Sequence, residues 1–291
     1  MQRMKVDMLS KAAITLHWDL SKERITLGGA LTLRAECEMI SEHNGQRVFN
    51  ILISPGANSV QDIKYIYEAV FESCILDFNK IKTSESVMLY PDSCLTTEKK
   101  LLSFSTERIA ILFSVLKVTP KLKWSKKINS EVDKILGTLS GRFICLSLKF
   151  SGLRIEDGDA ELATWREVVR IISVNLDLPV VIIGNDLLPE DFSEDPRVRF
   201  LGREGISLAV QLALSESACL YVGMASGMAS GVTFSHTPYL LYKHPEYHPE
   251  LMHRELGNFD NLPWANRQQK IFRKIPNSLE VVAQIERILS E

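Results

Sequence analysis

The sequence predicts an α/β protein built on doubly wound parallel sheets. Apolar runs of strand length alternate with longer stretches of helical period along most of the chain. The runs are rich in Val, Ile and Leu and lack an in-out alternation, as strands covered on both faces do. The alternation also occurs twice, on either side of a basic stretch broken by Pro120. Right-handed crossovers between parallel strands then give two Rossmann-like halves.

In the first half, AAITLHW (12–18) reads as a strand and GALTLRAECEMISEH (29–43) as a helix. VFNILIS (48–54) is a strand closed by Pro55-Gly56, a pair that ends a ladder. A helix over 59–76, the strand SVMLY (86–90) and a helix near 104–117 follow. The segment 117–134, KVTPKLKWSKKINSEVDK, changes character and reads as a linker.

The second half has a cleaner pattern. RFICLSLKF (142–150), LPVVIIG (178–184), VRFLG (198–202), ACLYVG (218–223) and PYLLY (238–242) read as strands. Between them lie the helical periods 160–175, 207–217 and 226–235. NSLEVVAQIERILSE (277–291) closes as a helix capped by Asn277 or Ser278. Domains are expected at 1–125 and 126–275, with a helix at 276–291 returning to the N-terminal domain.

Composition narrows the function. The chain has 291 residues, 45% hydrophobic and 24% charged, with a net charge of −2, so it lacks the basic face of a nucleic-acid binder. Five cysteines without C-x-x-C spacing imply free thiols and a reducing, cytoplasmic setting. The N-terminal stretch lacks a signal-peptide core, and no run of about 18 apolar residues spans a membrane. His244, His248 and His253 sit around Pro249 and read as a surface loop rather than a zinc site. No metal and no cofactor are expected.

The stretch LYVGMASGMASGVTFSHTPYLLY (220–242) carries the strongest signal. Serine stands fourth in Gly223-Met-Ala-Ser-Gly and in Gly227-Met-Ala-Ser-Gly, whereas a nucleophile elbow needs it third. A strand ending at Gly223 and a helix starting near Ser226 present unpaired amides, with Ser226 as cap and Gly227 allowing an anion close approach. Glycines four apart also suit close packing on the sheet. Both uses fit, with Ala229 and Gly231 facing inward and Ser226 and Gly227 outward.

From Gly202 to Tyr242, the order of helix, CLYVG, small-residue loop, Thr237-Pro238 and YLLY resembles the C-terminal domain of GT-B-fold glycosyltransferases, heptosyltransferases in particular. The resemblance covers roughly 142–245. It implies two domains around a cleft, with a nucleotide-sugar donor on the C-terminal one and its diphosphate on Met224, Ala225, Ser226, Gly227, Met228 and Ser230. Heptosyltransferases carry an acidic residue and a histidine in this loop, where this chain has Ala225 and Ser230. A loop with two serines is similar to the fucosyltransferase branch, whose basic H-x-R motif follows the first C-terminal strand. LSLKFSGLR stands there, so Lys149 and Arg154 would offset the leaving diphosphate's charge. A solvated strand-end lysine is the plainer alternative.

The nucleoside is expected over Gly184 and Asn185, and over Gly202 and Arg203, which are otherwise ordinary turns. Gly28-Gly29 ahead of the first helix resembles an acceptor-side glycine turn. Asp19 after the first strand stands where an inverting transferase holds its general base, a surface aspartate being the alternative. Arg34 and Glu36 read as structural. The implied activity is metal-independent sugar transfer to an acceptor hydroxyl on a glycan, lipid or protein. A nucleotide-sugar epimerase or hydrolase, or a non-catalytic partner protein of the same fold, are the alternatives.

Overall fold

The computed structural model describes residues 14–19, 26–43, 49–54, 66, 69–70, 75–77, 88–90, 105–139, 141–151, 158–184, 187–247, 249–256 and 261–291. The chain divides into two compact units, Met1–Lys123 and Trp124–Glu291.

The first unit holds a parallel sheet of four strands in the order β3-β2-β1-β4. These are β1 (Ile14–Asp19), β2 (Phe49–Ser54), β3 (Ile75–Asp77) and β4 (Met88–Tyr90). Strand β3 lies at the end of the stretch expected to be helical. Helix α1 (Leu27–His43) packs against α2 (Ser105–Leu116). A buried carboxylate, Glu36, holds this pair, and the buried Arg34 ties α1 to other backbone. The Glu36 carboxylate accepts from Ser105 Oγ at 2.8 Å and from Arg108 Nε at 2.6 Å. Arg34 donates to the carbonyls of Val70 and Lys123. Charges this deep persist only when paired and hydrogen-bonded, so both residues are structural.

The second unit opens with Trp124, whose indole N–H donates to Glu216 Oε1 at 2.7 Å. The expected linker contains a helix, α3 (Lys126–Leu136). Ser125 caps it by accepting the Ile128 N–H, and Ile128, Val132 and Ile135 form a buried stripe. Its lysines and the nearby Pro120 disguised a strongly amphipathic period.

The sheet here has six parallel strands in the order β10-β9-β8-β5-β6-β7. They are β5 (Ile144–Ser147), β6 (Val180–Ile182), β7 (Val198–Phe200), β8 (Leu220–Met224), β9 (Tyr239–Tyr242) and β10 (Gln269–Phe272). Helix α4 (Leu162–Arg170) follows β5 and ends in a π turn, Ile171–Asn175. Helix α5 (Leu208–Ser215) precedes β8, and a single turn, α6 (Ala229–Val232), follows it. Helix α7 (Pro249–Leu256) and strand β10 occupy stretches whose sequence pattern is too weak to predict them.

The main core joins Ile144 and Leu146 of β5, Val222 of β8 and Leu240 of β9 to Trp165 and Val168 of α4. The closing helix α8 (Ser278–Ser290) adds Val281, Ile285 and Ile288 to this core and packs on α4. Its apolar stripe is buried within the second unit. Asn277 Oδ1 caps it by accepting the Leu279 N–H. On the opposite face of the sheet Cys145, Tyr221 and Tyr239 are equally buried. Both faces are therefore covered, as the unbroken apolar runs require.

Gly223 of β8 is paired with Ser147 of β5. A Cβ at 223 would overlap the Ser147 carbonyl oxygen and lie 3.0 Å from its carbon. Replacing Gly223 with Ala should therefore cost about 1–3 kcal/mol through overpacking. Gly137 is the contrast, with right-handed φ −62° and its nearest neighbours at 3.5 Å. Gly137→Ala should leave stability unchanged or raise it by up to about 1 kcal/mol. Urea unfolding of the two variants checks the pair, and equal stabilities would remove Gly223 as a packing constraint.

Candidate functional site

Parallel strands deliver their following loops to one edge of the sheet, where ligands of doubly wound folds sit. Ser147 pairs with Gly223, and the Ala225 N–H donates to the Tyr242 carbonyl at 2.8 Å. The chain leaving β5 and the chain leaving β8 thus emerge side by side, at positions 149 and 225.

The turn after β8 folds around Ser226. Its Oγ accepts the Ala229 N–H at 3.3 Å and its carbonyl accepts the Ser230 N–H at 3.2 Å. Ser226 therefore caps, as its position suggests. The helix it caps is one turn rather than 226–235. Thr233 Oγ1 donates to the Ser230 carbonyl and Ser235 Oγ to the Val232 carbonyl, local bonds that compete with helix continuation. Met224, Met228, Ala229 and Gly231 are buried, whereas Ala225, Ser226, Gly227 and Ser230 stay half-exposed. Among the described residues, the amides of Ser226, Gly227 and Met228 donate no hydrogen bond within the protein. They are the donors that the first turn of a helix leaves unpaired, here in a helix of four residues, too short to carry a macrodipole of consequence.

Other chemistry is disfavoured here. Ser230 Oγ donates to the Ser226 carbonyl, so both serines serve the turn. Burial raises the Cys145 thiol and the Tyr221 hydroxyl far above their ordinary values, so neither is a nucleophile at neutral pH.

Lys149, two residues beyond β5, is not a freely solvated charge. Its Nζ is 3.1 Å from Asp159 Oδ1 and 4.2 Å from the centre of the Tyr247 ring. Its side chain is 18% exposed and that of Asp159 only 2%. The other Asp159 oxygen accepts from the N–H and Oγ of Ser151 at 3.0 and 2.5 Å. Gly158 has φ +88°, and a Cβ there would meet the Tyr247 ring at 2.9 Å. The Tyr247 ring thus joins the segments leaving β5 and β9, the strands that flank β8. Asp157-Gly158-Asp159 has the letters of D-x-D, yet Asp159 is committed to Lys149 and Ser151. Arg154 lies outside the described residues.

On the nucleoside side, Gly184 has φ +70° and packs under Met228, whose Cγ is 2.8 Å from where a Cβ would stand. Asn185 lies outside the described residues. Gly202 donates nothing unusual; its carbonyl accepts the Gly205 N–H in a turn. Arg203 is engaged by the carbonyls of Leu188 and Pro189 at 2.6 and 2.8 Å and stacks on Phe200. It holds loops together in this structure. In the first unit, Gly28 and Gly29 lie within the first turn of α1 and not ahead of it. Thr26 is the cap, its Oγ1 accepting the Gly29 N–H at 3.1 Å. Asp19 is the last residue of β1, in register with Ser54 of β2.

Sequence reasoning missed Asp159, Tyr247 and Gln211. Gln211 had a signal, as the one amide inside the apolar run LAVQLAL. Asp159 had none, since its partner lies ten residues away across a loop.

No protein-family model matches the chain, and no curated protein matches it in sequence. Solved structures do. A glycosyl transferase family 9 protein from Veillonella parvula aligns over 97% of this chain and 98% of its own, with 9% identity and a TM-score of 0.62. The ADP-heptose LPS heptosyltransferase II of E. coli aligns over 96% and 98%, with 10% identity and a TM-score of 0.54. The E. coli heptosyltransferase WaaC, solved with ADP-2-deoxy-2-fluoro heptose, covers 96% and 99% at 11% identity and a TM-score of 0.51. The chain therefore has an α/β fold similar to that of GT-B glycosyltransferases. No helix among the described residues is long and apolar enough to cross a membrane.

The buried Lys149–Asp159 pair makes a stability prediction. Lys149→Met removes the cation from a carboxylate that is 2% exposed, and should cost about 2 kcal/mol or more. In a double-mutant cycle, Asp159→Asn added to Lys149→Met should recover part of that loss. Strictly additive effects within about 0.3 kcal/mol would mean the two groups do not interact.

Proposed function

We propose that this chain is a glycosyltransferase that takes a nucleoside-diphosphate sugar, holds its diphosphate on the turn 224–230 and moves the sugar to an acceptor hydroxyl. One observation carries the reading: the amides of Ser226, Gly227 and Met228 stand without protein partners at a strand end, in a fold matched along its length to transferases. A diphosphate supplies the acceptors these donors lack. Solved relatives of the fold carry ADP-heptose analogues, which supports a nucleotide-sugar donor.

In this reading catalysis needs no metal. Lys149, with Arg154 from the following loop, opposes the charge that grows on the departing diphosphate. Because Asp159 also compensates Lys149, its net field is smaller than that of an isolated lysine, and its aim matters more than its charge. Asp19 serves as general base in a direct, inverting displacement. Gly28 and Gly29 open the first turn of α1 for the acceptor. Ala225 and Ser230, where heptosyltransferases have an acidic residue and a histidine, favour a donor sugar other than heptose. The same two residues also favour a second reading, a binding protein of this fold without turnover.

A nucleoside diphosphate should stabilise the protein more than its nucleoside does. With ligand a hundredfold above Kd the gain is about 2.7 kcal/mol. Thermal shifts with ADP, GDP, UDP and CDP beside their nucleosides measure it, and equal shifts for each pair would remove the diphosphate cradle. Gly227→Val should abolish the difference by putting a side chain where the phosphate approaches, while Ser226→Ala weakens the turn by about 1 kcal/mol.

The catalytic role of Lys149 has its own measurement. With the sugar donor whose nucleotide binds best, folded Lys149→Met should bind within about tenfold of wild type and transfer about 10²-fold more slowly. An unchanged rate would leave the lysine a purely structural charge. Tight binding with no turnover in wild type would select the second reading.

A further inference from the structure

In the nucleotide-sugar reading the nucleoside lies over the turns that follow two neighbouring strands, of which residues 183–184 and 187–190 after β6 and 201–206 after β7 are described. Two side chains fasten these loops to each other. Gln211, on α5 and only 5% exposed, accepts the Gly184 N–H at 2.8 Å and donates from Nε2 to the Ile206 carbonyl at 2.6 Å. Arg203, at the surface, reaches from the second loop to the Leu188 and Pro189 carbonyls of the first. One fastening is buried and the other exposed, and together they leave the loops little freedom to move apart.

The placement of Gln211 is chemically specific. It interrupts an otherwise apolar helix, where a polar side chain is tolerated only if its hydrogen bonds are made. Both ends of its amide are used, and each on a different loop. Gly184 itself has φ +70°, a conformation that glycine adopts without strain.

We infer that Gln211 and Arg203 are positioning residues for the nucleoside, holding the loops after β6 and β7 as a preformed platform. Neither needs to touch the base. A platform ordered in advance loses little backbone freedom when a ligand arrives, and this appears as affinity and as discrimination between bases. The inference rests on the nucleotide-sugar reading above.

The test is titration calorimetry of wild type, Gln211→Met and Arg203→Gln with ADP, GDP, UDP, CDP and inorganic pyrophosphate. Methionine matches glutamine in length and lacks its hydrogen bonds. For Gln211→Met, affinity for the preferred nucleoside diphosphate should fall about tenfold and the spread among bases should narrow, with pyrophosphate affinity within about twofold of wild type. Arg203→Gln, at an exposed position that does not endanger folding, should move the same way by about threefold. Pyrophosphate separates the roles, since a general loss of structure weakens all five ligands together. Wild-type discrimination retained in either folded variant, or an equal loss for pyrophosphate, overturns the inference and leaves the nucleotide reading intact. Wild-type protein that binds none of the five overturns that reading and the inference with it.

Discussion

At the centre of the six-stranded sheet, the carbonyl of Ser147 occupies the space a side chain at position 223 would need. Glycine there lets β5 and β8 approach to ladder distance along their full overlap, from Ile144 with Leu220 to Ser147 with Gly223. The functional edge depends on that pairing. It sets the chain leaving β5 beside the chain leaving β8, ahead of the amides of 226–228. The first of the three spaced glycines is therefore a packing residue. The second is half-exposed, and the third is buried.

Polar groups around this edge are used with little slack. Asp159 has a cation on one oxygen and two donors on the other, Gln211 has both ends of its amide bonded, and Arg203 has carbonyls and a ring. Such paired groups give a rigid frame, because moving any one of them strands its partners in a poorly solvated place. The frame is not complete, since the Tyr242 hydroxyl and the Trp165 indole N–H are buried without a hydrogen-bond partner among the described residues, and the amides of 226–228 likewise donate to none of them.

Much of the fold was legible because parallel sheets write their strands as continuous apolar runs, and β5, β8 and β9 are read directly from ICLS, LYVG and YLLY. The caps at Ser226 and Asn277 were legible too, since both need only a short polar side chain ahead of a helical turn. The helix Lys126–Leu136 was not. Its Ile128, Val132 and Ile135 keep helical spacing, but the proline and lysines before them suggest a linker more loudly. Strand β10 has the half-buried alternation of an edge and too few apolar residues to announce itself. For the candidate site, local features such as the serine-glycine turn were visible, whereas Asp159 and Tyr247 acquire meaning only when two loops meet. Arg203 was visible as a charge, whereas its carbonyl partners are backbone atoms that sequence does not display.

The strand order has a consequence for how the chain is made. Phe143 and Cys219, which enter β5 and β8 together, are 76 residues apart. During synthesis β5 can gather β6 and β7 on one side, while its other edge waits for β8 to leave the ribosome. For that interval a strand that is fully buried in the folded sheet offers unpaired amides and carbonyls to any extended segment nearby, the circumstance in which nascent chains associate wrongly. Non-local parallel pairing of this kind is also slow to close. The late arrival of a strand bearing glycine opposite Ser147 is then the event that seals the sheet, and it completes the edge where the free amides lie in the same step.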